Sequence, residues 1–160
     1  MARYNRIFAA LDGSDAQEAV ARRTLSIAHD NNAEVLFGHV IDTAHVENFG
    51  IGNVEIAESK RASIIESISR QLDRAEKDDC VPAVSVKVAM GPINETMMSD
   101  LISPFDPDLV ICGVRGLSSI KYAFVGSVST YLVRHASCDV LVVRPEAIDE
   151  LDESEYAPYE

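Results

Sequence analysis

A buried strand that runs into paired glycines and on to a glycine-headed helix leaves a chain few folds to choose from. Leu109 to Val143 reads LVICGVRGLSSIKYAFVGSVSTYLVRHASCDVLVV. The apolar run Leu109, Val110, Ile111 and Cys112 has strand length, and Gly113-Val114-Arg115-Gly116 then turns the chain. After a nine-residue excursion, Gly126-Ser127-Val128-Ser129 heads a helical pattern, and Val140 to Val143 forms a second apolar run. Strand, glycine turn, loop, serine-headed helix and strand is the layout of a phosphate-binding βαβ unit.

The rest of the chain repeats that alternation. Ile7 to Leu11 reads as a short buried strand ending at Asp12-Gly13. Ser14 can cap the next helix, with Gln17 completing a capping box and Ala16, Val20, Thr24, Ile27 and Ala28 lining one face. Asn31-Asn32 supplies a left-handed stop. Glu34 to Ile41 is apolar enough on both faces for a strand covered by helices on each side. Thr43 to Val54, with Gly50 and Gly52, reads as a mobile loop, and about Glu55 to Lys77 as one long amphipathic helix whose charged face, Lys60 included, is solvated. Val84 to Ala89 alternates as a third strand. Gly91-Pro92 opens a helix packed through Ile93, Met97, Leu101 and Ile102, and Pro104 and Pro107 break the chain before Leu109. Five strands alternating with four helices predict an open, mostly parallel sheet with right-handed crossovers. Ligands of such sheets sit beyond the C-terminal strand ends, where strand order reverses.

Composition removes several functions. The 160 residues suit one domain, read as residues 1–145 with an acidic tail over 146–160, where seven acidic residues meet no basic one. A formal net charge of −12 argues against nucleic-acid binding. No apolar run approaches the ~20 residues of a membrane span, and no signal-peptide pattern opens the chain, so a cytoplasmic protein is expected. Cys80, Cys112 and Cys138 make an odd set with no Cys-x-x-Cys spacing, so neither a disulfide framework nor a zinc site is indicated and the thiols read as buried or incidental; His29, His39, His45 and His135 have no metal-ligand spacing. Among the histidines, His39 reads as a core residue and His135 as a cation near a helix C-terminus. No Walker lysine loop, no Gly-x-Gly-x-x-Gly after the first strand and no Gly-x-Ser-x-Gly elbow occurs.

If the strands ending at Asp12, Asp42 and Gly113 are neighbours, their ends share one crevice. Gly113, Gly116 and Gly126 let backbone amides approach an anion closely. Ser127 and Ser129 add hydroxyls, and the helix N-terminus adds partial positive charge. Together these groups suit a di- or triphosphate. Asp12 has two readings: a carboxylate for ribose hydroxyls or a divalent cation, or simply a cap on the turn.

Gly113-x2-Gly116-x9-Gly126-Ser127 resembles the nucleotide signature of the universal stress protein family. Leu11-Asp12-Gly13-Ser14, His39-Val40 and Val140 to Pro145 match the family as well, so that the likeness spans about residues 4 to 145. The resemblance implies a flavodoxin-like α/β domain with a parallel sheet of order 3-2-1-4-5 and ATP in its crevice; a Mg²⁺ or Mn²⁺ ion at Asp12 is what a hydrolase reading would require. Carried over, it implies that Ala10, Leu11 and Asp12 border adenine and ribose, Val40 lies against adenine, and Cys112 and Gly113 continue that wall. Val114, Arg115 and Gly116 would form the phosphate loop, and Gly126, Ser127, Val128 and Ser129 would hold phosphates. It also implies a homodimer paired through the last strand, Val140, Leu141, Val142, Val143 and Arg144. The expected role is regulatory ATP binding with slow or no hydrolysis, the alternatives being a weak metal-dependent nucleotide hydrolase and a nucleotide-free dimeric interaction module.

Overall fold

Alternating side chains of the central strand explain the architecture. In the computed structural model, which describes residues 3–14, 16–45, 52–114 and 126–144, β1 (Arg6–Ala10) lies in the middle of the sheet. Ile7, Ala9 and Leu11 enter one core and Phe8 and Ala10 the other, as the two-residue period of a strand requires. A strand buried on both faces must be roofed twice. The first roof is α1 (Gln17–Asn31) with α2 (Gly52–Ser67) and α3 (Ser69–Glu76), which contribute Val20, Leu25, Ile64 and Ile68. The second comprises α4 (Ile93–Thr96), a π-helical stretch (Met97–Ile102) and α5 (Ser103–Phe105), joined by α6 (Ser127–His135); Met97, Leu101, Ile102 and Leu132 pack here.

The five strands are β1, β2 (Glu34–Asp42), β3 (Val84–Gly91), β4 (Leu109–Gly113) and β5 (Asp139–Val143). All neighbours pair in parallel in the order β3-β2-β1-β4-β5. This is the order that the family resemblance implies. Chain direction of winding changes at β1, whose partners are β2 (Ala10 beside Gly38) and β4 (Ala10 beside Cys112). Gly38 permits that pairing, because a Cβ there would stand 2.5 Å from the Phe8 ring.

Local details depart from the sequence reading at four places, one of them Pro104, which is expected to break the chain but sits in the first turn of α5. Ser14 does not cap α1: Ala16 is the N-cap residue and the helix has no side-chain cap. The Ser14 hydroxyl donates instead to Asp12 Oδ1 at 2.6 Å, and Gln17 reaches past it to accept from the Gly13 N–H at 3.2 Å. With α1 starting two residues later than a Ser14 cap requires, the Ser14 side chain belongs to the Asp12 turn. The single helix expected over 55–77 is two, α2 and α3, meeting at Ile68 (φ −112°, ψ 19°). Helical hydrogen bonds continue through the joint, Ile68 N–H to Ile64 at 3.1 Å and Leu72 N–H to Ile68 at 3.0 Å, so it is a bend that keeps Ile64 and Ile68 both buried. The segment read as a mobile loop includes a 3₁₀ turn (Thr43–His45) and the start of α2 at Gly52; residues 46–51 lie outside the described residues. Asn32, at φ 53°, ends α1 in the left-handed conformation expected.

Candidate functional site

Beyond the C-terminal ends of β1, β2 and β4 the sheet opens into a cavity of about 910 Å³, within the range of roughly 300–1,000 Å³ usual for small-molecule sites. Its first wall grows from the end of β1. Leu11 donates its N–H to the Gly38 carbonyl at 2.8 Å, and the chain then turns through Asp12 and Gly13, where φ is +79°. Asp12 Oδ1 accepts both the N–H (2.9 Å) and the hydroxyl (2.6 Å) of Ser14, so this carboxylate builds the turn through one oxygen and leaves Oδ2 out of it. Gln17 fastens the turn to α2 by donating its amide to the Ser67 hydroxyl.

The second wall comes from β2. Val40 is buried, and beside it His39 Nδ1 is 2.7 Å from the Leu11 carbonyl. A carbonyl only accepts, so Nδ1 carries the proton and Nε2 is the ring's acceptor. Burial depresses the His39 pKa; the Leu11 carbonyl opposes this, Lys60 adds to it and Asp12 opposes it. The imidazole is thereby kept neutral.

On the far side stand β4 and α6. Gly113 lies so close to α1 that a Cβ would meet Val20 Cγ2 at 3.0 Å. The Cys112 thiol is pushed up by burial, with a smaller opposing effect of Ser129. Gly126 is the N-cap residue of α6 (φ −59°, ψ 169°), and no side chain caps this helix. The first amides of α6, those of Ser127, Val128 and Ser129, have no carbonyl of their own helix to bond. They form a donor cluster at the positive end of the helix dipole.

Ala10, Leu11, Asp12, Val40, Cys112, Gly113, Val114, Gly126, Val128 and Ser129 all line this one cavity. Ser127 is exposed and is not among the lining residues. Ser129 is buried, and its hydroxyl donates to the Gly113 carbonyl at 3.3 Å, so what it can offer an anion is its amide. Arg115 and Gly116 lie outside the described residues.

Sequence reasoning missed the roof. Ile56, Lys60 and Ile64 follow one another at the four-residue spacing of a single helix face; the first two line the cavity and the third is buried beneath it. Lys60 Nζ comes within 3.0 Å of where a Cβ on Gly13 would stand, and so puts a cation beside the Asp12 turn. Ile93 and Met97 supply an apolar wall from the α4 side. One chamber thus has apolar surfaces for a flat ring, a carboxylate and a lysine at one rim, and helix amides at another.

The model of the universal stress protein family matches residues 3–144. The chain belongs to the universal stress protein family. A Staphylococcus haemolyticus protein named as a universal stress protein is 31% identical to this member over 150 residues, covering 94% of this chain and 90% of the relative. Among solved structures, the universal stress protein UspA from Lactobacillus plantarum is 25% identical, has a TM-score of 0.67, and is aligned over 90% of this chain and all of its own. Two more distant family structures share the fold and hold nucleotides. One, described as a complex with cAMP, is 21% identical with a TM-score of 0.59 over 90% of this chain and 99% of its own. The other, from Arabidopsis thaliana with AMP bound, is 16% identical with a TM-score of 0.60 over 94% and 98%. No helix among the described residues of this family member is long and apolar enough to cross a membrane.

Proposed function

We propose that this universal stress protein binds ATP in the cavity as a regulatory ligand, in a homodimer that serves stress response in the cytoplasm, with slow or no hydrolysis. The observation that carries the reading is the polarity of one chamber: Leu11 and Val40 give an apolar slot at the end nearest Asp12, and the uncapped N-terminus of α6 gives amide donors at the other. Adenine suits the slot, Asp12 Oδ2 suits the ribose hydroxyls with the Lys60 cation at the same rim, and the phosphates suit the α6 amides. The phosphate loop over Val114, Arg115 and Gly116 belongs to the same reading. A Mg²⁺ or Mn²⁺ ion would ride mainly on the phosphates and water, the way such ions often bind nucleotide sites; were it drawn toward the ribose end instead, Asp12 would be its protein oxygen. For the homodimer the support is β5, an edge strand in this chain with half-buried Val140, Leu141 and Val142.

The AMP and cAMP held by the two distant relatives favour a second reading, a mononucleotide in the same slot. Direct extraction separates the two. Protein purified without added nucleotide is denatured and its supernatant resolved by ion exchange: ATP or ADP supports the first reading, AMP or cAMP the second. If nothing is released and neither nucleotide binds in a calorimetric titration, the site assignment fails.

A further inference from the structure

At the opposite pole of the sheet, the last turn of α1 and the connection from α3 to β3 bring three donors of different chemistry together. One donor atom each of His29, Asp78 and Cys80 lies within 4.8 Å of the other two. Among the described residues no other set of three or more His, Cys, Asp or Glu comes as close. His29 Nδ1 is 2.8 Å from Asp78 Oδ2, and the Asp78 side chain is only 5% exposed. Its other oxygen accepts the N–H of Cys80 at 2.9 Å. The Asp78 backbone is fixed at both ends of the same turn, donating to the Ala75 carbonyl at 3.1 Å and accepting from the Val81 N–H at 3.0 Å. Cys80 is half-buried and in no disulfide. The turn therefore holds a thiol, a buried carboxylate and an imidazole around a common point.

We propose that His29, Asp78 and Cys80 bind a zinc-class divalent cation, with a fourth position open to water. The donor set carries the assignment: thiolate and imidazole favour a borderline-soft ion over Mg²⁺ or Ca²⁺, and all three donor types bind zinc at about 2.0–2.3 Å. Tetrahedral bonds of that length put ligand atoms roughly 3.3–3.8 Å apart. The His29–Asp78 pair would open slightly and the thiol close in, movements within side-chain rotation. A buried carboxylate needs a positive partner, and the ion supplies one. The ion would tie the end of α1 to the α3–β3 turn, far from the nucleotide cavity at the other strand ends.

Cobalt(II) is the probe, because only a thiolate ligand gives the intense near-ultraviolet charge-transfer band. Metal-free full-length protein titrated with Co²⁺ is expected to develop that band, and Zn²⁺ to abolish it by competition. Cys80→Ser should lose the band, His29→Ala should weaken affinity at least about tenfold, and Cys138→Ser should change neither. Co²⁺ held by the acidic C-terminal residues would lack the band and so does not confuse the reading. Thermal melts check folding: Zn²⁺ should raise the Tm of the wild type and leave that of Cys80→Ser unmoved, while the metal-free proteins melt alike. Absence of the band in the wild type, or its survival in Cys80→Ser, would overturn the site and leave an ion pair beside a bystander thiol.

Discussion

His39 on β2 donates through Nδ1 to the carbonyl of Leu11 at 2.7 Å, joining the ends of two neighbouring strands at the mouth of the cavity. The bond fixes the tautomer, and burial holds the folded pKa below the ordinary 6.5. In the unfolded chain this histidine takes its proton near 6.5, whereas in the fold it must wait for lower pH. Stability linked to His39 is therefore complete above 6.5 and is lost as pH falls from there through the folded value. In urea unfolding at about pH 7.5 and about pH 5.5, His39→Gln should lose less stability on acidification than the wild type. Equal losses would show that the ring's protonation does not matter to the fold.

Lys60 offers a cation to whatever fills the chamber. Lys60→Gln keeps most of the stem and removes the charge, so ATP affinity should fall about tenfold, or about 1.4 kcal/mol, with a weaker dependence on salt. Calorimetric titration at two salt concentrations measures both, and an unchanged affinity would show that the ligand's charge lies out of reach of Lys60.

Gly126 allows the fold and the ligand to be tested apart. Its φ of −59° suits any residue, and aspartate is a favoured N-cap. Gly126→Asp should fold with stability equal to the parent or higher by a few tenths of a kcal/mol. The new carboxylate would face the phosphates, and like charges set together cost several kcal/mol, so ATP affinity should drop far more than tenfold. Melting and binding curves that both match the wild type would refute an anion site at α6.

Val142 tests the β5 seam. It pairs with Cys112 on β4 and is partly buried on the α6 face. A lysine there should shift sedimentation from dimer to monomer while the far-ultraviolet circular dichroism keeps its shape. A variant that folds and stays dimeric would move the interface off β5.

While β3 showed itself by alternation, the strands β1, β2 and β4 were readable because each is an apolar run of strand length closed by Asp or Gly, as a strand covered on both faces must be apolar. Glycines 113 and 126 were readable for the same local reason. Lys60 was not, because a lysine on an amphipathic helix looks the same whether its face meets solvent or a cavity; only the packing of α2 decides. His39 was read as a core residue, which describes its burial but misses that its neighbour is the carbonyl ending β1. The Ser14 cap failed because Asp12 draws Ser14 into its own turn and the helix starts only after Ala16, a shift of two residues that spacing does not announce. His29 and Cys80 are far apart in sequence, and no local pattern announces a cluster assembled by the ends of different elements.

The central position of β1 also sets a timetable for folding. Residues 5 and 6 are fixed by Asp108, 103 and 102 positions later, through N–H bonds of 2.8 and 3.1 Å. During synthesis β1, β2 and β3 can assemble early, but β1 must keep one apolar edge unpaired until β4 has emerged. Such long-range closure is slow, and the half-built sheet is the form of this protein most exposed to misassociation. The strand that completes β1 is also the strand that brings Cys112 and Gly113, so the crevice appears only as that hazard ends.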